Sequence, residues 1–252
     1  MRQSGRSRRW RRKHQSRLSR VRPGSEHPLW APHRASWWIA VLFAFGSLCF
    51  VVAPLPMYLD AVGGRAVGVT FFVGSLLFTS AAALQWLEVV NTDYEEAIAA
   101  DRGSLRAFVW RPRDLDWWSS AIQLFGTLAF NVTTFWGMTV TVDSGEYNHL
   151  VWQPDAVGSV CFLISGYLAY VEVAGRRLGR PPRSLDGAIV SINLLGCIAF
   201  GVSALTGFVL PESGVPVNET LTNATTSIGA LCFLAGALLL LPEGVKDTDQ
   251  SG

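Results

Sequence analysis

The sequence predicts an all-α membrane protein with six transmembrane helices, arranged as three tandem two-helix repeats. Three observations predict it. First, six apolar blocks, Trp37–Leu59, Val67–Val90, Trp117–Val140, Ala156–Ala174, Ala188–Leu210 and Ala224–Leu241, are each long enough to cross a bilayer core of roughly 30 Å. Second, every block holds a Gly followed four residues later by Phe: Gly46/Phe50, Gly74/Phe78, Gly126/Phe130, Gly158/Phe162, Gly196/Phe200 and Gly229/Phe233. Third, Lys and Arg collect in alternate connections. Charged residues make up 16% of the chain, against roughly 25% in a soluble domain. A soluble core made of six such blocks would leave almost no polar surface.

Residues 1–35 form a basic tail with eleven Lys or Arg and a single acidic residue, Glu26. No apolar periodicity runs through it, so disorder is expected. A full-length span follows it, so it does not read as a secretory signal. The positive-inside rule places this tail in the cytoplasm. Arg102, Arg106, Arg111 and Arg113 between spans two and three agree, as do Arg176, Arg177, Arg180 and Arg183 between spans four and five. The opposite loops hold only Arg65. Both termini are therefore expected in the cytoplasm of a plasma-membrane protein. The tail suits a topology determinant or a contact with anionic lipid. It lacks the aromatic interleaving of a specific nucleic-acid binder.

The odd spans begin alike, at Pro32-His-Arg-Ala-Ser36, Pro112-Arg-Asp-Leu-Asp116 and Pro182-Arg-Ser-Leu-Asp186. Ser36, Asp116 and Asp186 read as N-caps that accept from free helical N–H groups. Trp37-Trp38 and Trp117-Trp118 belong at head-group level. Counting fourteen residues from the Gly of each even span reaches Glu88, Glu172 and Glu243. The repeat units are thus 32–90, 112–175 and 182–243, within a membrane domain of 36–243. Two spans return the chain to the same side, so the units should be parallel copies about a pseudo-threefold axis. A short polar tail, 244–252, follows.

Gly46, Gly74, Gly126, Gly158, Gly196 and Gly229 read as helix-packing positions, because lipid supplies no hydrophobic force between helices and small residues let backbones approach. Span three is the most polar: Gln123, Thr127, Asn131 and Thr134 share one helix face. Asn193 matches Gln123 in the repeat. Interhelical hydrogen bonding and a polar path for a solute are both open readings of this stripe. The ionisable candidates Glu88, Glu172 and Glu243 lie at helix C-termini, where the dipole disfavours an anion. Arg176 and Lys246 lie close to Glu172 and Glu243 in sequence, and Glu88 has no such neighbour within a turn. A salt bridge to a loop arginine or a proton relay are its two readings.

On the outer side, Asp155 is placed to cap span four, and His149 is too isolated for a metal site. Asn218-Glu-Thr220 and Asn223-Ala-Thr225 match the N-glycosylation pattern. Cys49, Cys161, Cys197 and Cys232 all lie inside the apolar blocks and read as packing residues. The blocks contain no His, Asp, Lys or Arg, and no enzyme motif is visible, so neither catalysis nor a metal or other cofactor is expected.

The segments Phe72-Val-Gly-Ser-Leu-Leu-Phe78 and Val157-Gly-Ser-Val-Cys-Phe162 resemble the YrhK-like domain, a short bacterial membrane domain without an assigned function. The third copy departs from it, with Ala230 in place of Ser. The resemblance implies a bacterial membrane protein and carries over no site residue. Two functions follow from the sequence. One is a non-catalytic scaffold or accessory protein working through a protein partner or a second copy of itself. The other is a small-solute or ion transporter with its polar site on span three.

Overall fold

The computed structural model describes residues 35–91, 105–143, 145–175, 179 and 181–246. These residues form six long helices: α1 (Ala35–Val52), α3 (Gly64–Asn91), α4 (Leu115–Trp136), α5 (Gln153–Ala174), α6 (Leu185–Thr206) and α7 (Glu219–Lys246). A short helix, α2 (Pro56–Val62), joins α1 to α3, and a π-helical turn, Asn148–Trp152, leads into α5. Apart from one isolated bridge between Val209 and Pro216, the described residues hold no β-structure.

The long helices form a closed ring in chain order. Each packs against its predecessor and its successor, and α7 closes the ring on α1. Neighbours run antiparallel. Phe43 meets Phe78 and Phe50 meets Phe71 across α1 and α3. Ser75 meets Thr134 and Thr79 meets Asn131 across α3 and α4. Apart from α4 the helices are apolar all round instead of along a narrow stripe, and the outward faces of the bundle expose residues such as Phe45, Leu128, Ile164, Leu205 and Leu231. Five of them, counting the turn Asn148–Trp152 with α5, are long and apolar enough to cross a membrane. The exception is α4, which carries the polar stripe.

Helix ends depart from the apolar blocks for local reasons. Block one is not a single helix. The N–H missing at Pro54 and the restriction it places on Ala53 stop α1 at Val52, and Pro56 then opens α2. Gly63, at φ 81°, makes the turn into α3 that a β-carbon would strain. Blocks three and five end early, at Trp136 and Thr206, while α3, α5 and α7 begin ahead of their blocks. The cap positions also shift. Ser184, not Asp186, caps α6 by accepting from Gly187 N–H, because the helix starts two residues earlier. Asp116 and Ser36 fall within first turns rather than ahead of them. Asp155 likewise lies inside the first turn of α5 and not at its cap.

Candidate functional site

The centre of the ring is built from the Gly/Phe pairs. In each sequential hairpin the Phe of one helix lies over the Gly of the other. Phe50 and Phe78 cover Gly74 and Gly46; Phe162 and Phe130 cover Gly126 and Gly158; Phe233 and Phe200 cover Gly196 and Gly229. The six rings then meet on the axis at centroid distances of 5.0–6.1 Å, through Phe50–Phe78, Phe130–Phe162, Phe50–Phe200, Phe130–Phe200, Phe78–Phe233, Phe162–Phe233 and Phe200–Phe233. Most are edge-to-face, the arrangement the ring quadrupole favours.

Beside this aromatic layer lies a second one, whose members the sequence showed singly, as Thr127 and the Gly-Ser pairs, but not as one layer. The residue after each repeated Gly is Ser47, Ser75, Thr127, Ser159, Cys197 or Ala230, and all six are at most 3% exposed. The signal was present in the sequence as a small residue at the same register in every block. A cavity of about 10 Å³ lies between the layers, lined by five of the rings with Ser75 and Thr127. That is the size of one water at most and excludes a solute.

The polar stripe of α4 divides between neighbours instead of lining one path. Gln123 Oε1 accepts from Ser165 Oγ of α5 at 3.5 Å. Thr127 Oγ1 donates to Leu124 O one turn back, at 2.7 Å. Asn131 Oδ1 accepts from Thr79 Oγ1 of α3 at 3.2 Å. Thr134 shares a 2.8 Å hydrogen bond with Ser75 of α3. Asn193 is in a different hairpin, where its amide presses on Gly236 of α7 and its Oδ1 is buried without a hydrogen-bond partner. Gly236 occupies the register of Ser165, so the larger polar side chain of α6 faces the smaller partner. The Ser47 hydroxyl oxygen is likewise buried without a hydrogen bond.

The ionisable candidates do not converge on these groups. Glu88 and Glu172 are half-buried at the ends of α3 and α5, and each interacts with a neighbouring group. Glu243 lies in α7, but its side chain is outside the described residues. So are the tail 1–34, Arg102, Arg176, Arg177, Arg180 and residues 247–252.

Two asparagine clamps order the connections. Asn91 Nδ2 donates to Arg106 O at 2.8 Å, and its Oδ1 accepts from Arg106 N at 2.9 Å. At the other end of the bundle Asn148 Nδ2 donates to Val209 O at 2.7 Å, and its Oδ1 accepts from Val209 N at 3.1 Å. Trp152 Nε1 donates to Ala204 O beside it, and its ring meets Phe208. Burial, with Asp155 and Glu219 adding to it, pushes the nearby Tyr147 hydroxyl up to about 12. Asn218 caps α7 through Leu221 N–H, which gives the first glycosylation-pattern asparagine a structural role.

No family model, no curated protein and no solved structure matches the chain.

Proposed function

We propose that the chain is a six-span plasma-membrane protein of three tandem hairpin repeats about a pseudo-threefold axis. Both termini lie in the cytoplasm, and the protein acts without catalysis, as a scaffold or accessory subunit. The observation that carries this reading is the filled axis: six phenylalanine rings meet where a solute would pass. The α4 stripe supports it, because three of its four polar side chains bond neighbouring helices, as buried polar groups in a bilayer must. The YrhK-like pattern of α3 and α5, and with it a bacterial host, is part of the proposal. An anionic-lipid contact through the basic tail and a protein partner or second copy are its expected associations.

The test is a Gln123→Leu and Asn131→Leu pair assayed in proteoliposomes and by thermal melting in detergent. A lower melting midpoint, with no solute or ion flux in either variant or wild type, supports the scaffold reading. Flux in the wild type that is lost in the variants at unchanged midpoint overturns it in favour of the transporter. One observation keeps that second reading in view: Ser47 Oγ and Asn193 Oδ1 are buried polar atoms that the helix contacts leave without a hydrogen bond. Span number and orientation are read by cysteine labelling from each side, with reporters at Asp143 and Arg113. Labelling of both from one side sinks the six-span topology.

A further inference from the structure

The connection entering α4 is folded into a rigid platform. The clamp at Asn91 fixes its start. Three indole N–H groups then pin its carbonyls: Trp86 Nε1 to Ala107 O at 2.9 Å, Trp117 Nε1 to Val109 O at 2.7 Å and Trp118 Nε1 to Pro112 O at 3.1 Å. Arg111 donates to Val90 O at the end of α3. With its backbone held this way, the loop still presents apolar side chains outward. Leu105 is 70% exposed, Phe108 and Trp110 61% each, and Trp118 37%. Phe108 stacks on Trp110 at 6.3 Å and Trp110 meets Trp118 at 6.1 Å, so the exposed rings form one continuous patch. Arg106 and Arg113 are exposed within the same loop.

We infer that this platform is a phospholipid site: the Leu105, Phe108, Trp110 and Trp118 side chains enter the head-group and upper acyl zone, and Arg106 and Arg113 bind the lipid phosphate. The inference rests on the membrane reading above and names a ligand for it. Three features choose lipid over a protein partner. Through Trp118 the patch runs into the exposed apolar face of α4, which goes on through Phe125, Leu128 and Val132. It lies at the same end as Trp37 and Trp38, a second tryptophan pair at a helix start. Its exposed cations suit a phosphate, and tryptophan rings favour the membrane interface.

The test uses the full chain in detergent, titrated with phosphatidylglycerol, with diacylglycerol, which lacks the phosphate, and with glycerol 3-phosphate, which lacks the acyl chains. Saturable binding of phosphatidylglycerol alone is expected. Arg106→Ser with Arg113→Ser should weaken it about twenty-five-fold, each arginine contributing about fivefold. The basic tail adds its own attraction in every variant, so the difference isolates the loop. Arg113→Ser alone, at an exposed position, keeps the test valid if the double variant melts early. Equal binding of diacylglycerol overturns the phosphate contact. Equal binding of glycerol 3-phosphate overturns the membrane source. Unchanged phosphatidylglycerol affinity in the arginine variants overturns the site and points to a protein on the aromatic patch. Alkaline extraction of membranes separates the two levels: an extractable chain sinks the membrane reading itself, whereas a retained chain with unaffected variants sinks only this site.

Discussion

At the residue scale, the axis depends on having no β-carbon at the six glycines. A β-carbon on Gly74 would sit 2.7 Å from Cys49 Cβ and 3.0 Å from the Phe50 ring, closer than real contacts allow. Gly74→Ala should therefore destabilise the protein by about 1–3 kcal/mol through overpacking. Gly145→Ala, where a β-carbon meets nothing within 4 Å, should melt like the wild type. Ser47 makes the opposite case. Its hydroxyl is fully buried and unbonded, so Ser47→Ala removes a desolvated group and should raise the melting midpoint or leave it unchanged. A clear drop would mean that the hydroxyl has a partner in the membrane.

At the element scale, α4 is the helix whose polarity is used for packing. The Ser75–Thr134 hydrogen bond joins it to α3 in a fully buried contact. A double-mutant cycle of Ser75→Ala and Thr134→Val should return a coupling of about 0.6 kcal/mol, the usual size of such bonds between membrane helices. A coupling near zero would mean that each hydroxyl is satisfied by its own helix backbone, through Phe72 O or Phe130 O. The connection after α6 relies on Asn148 in the same way. Asn148→Ala removes both of its bonds to Val209. Hydrogen exchange across residues 207–218 should then speed up while the helices stay protected. Equal protection in variant and wild type would show that the Trp152 contacts suffice to hold the segment.

At the scale of the whole molecule, closure of the ring joins the first helix to the last. Ser227 Oγ of α7 donates to Val51 O of α1 at 3.2 Å, and Phe233 meets Phe78 across the axis. The hairpin of α1 and α3 is thus held from both sides, by α4 and by α7. Fragments separated between Asn91 and Leu105 and expressed together should copurify in detergent. Failure to associate would mean that the covalent connection, and not the helix contacts, keeps the ring closed.

The amino-acid sequence by itself determined where the long helices lie and which residues bring them close. Apolar length is a one-dimensional property, and a Gly/Phe pair one turn apart on the same face presents a hole and a knob without reference to any neighbour. The proline-bearing turn after α1 is equally local, although the apolar run continues through it. What only the tertiary structure decided depends on the rotation of each helix about its own axis. Residues four positions apart share a helix face but still drift by about 40° around it. Ser75 and Thr127 therefore line the cavity between the central rings, while Gln123 turns to α5 and Asn131 to α3. The polar stripe suits either interhelical bonding or one path in sequence, and the structure divides it into contacts with two different neighbours. Asn91 and Asn148 were invisible for a related reason: each clamps a backbone segment 15 or 61 residues away, and no local pattern encodes where a distant carbonyl will lie.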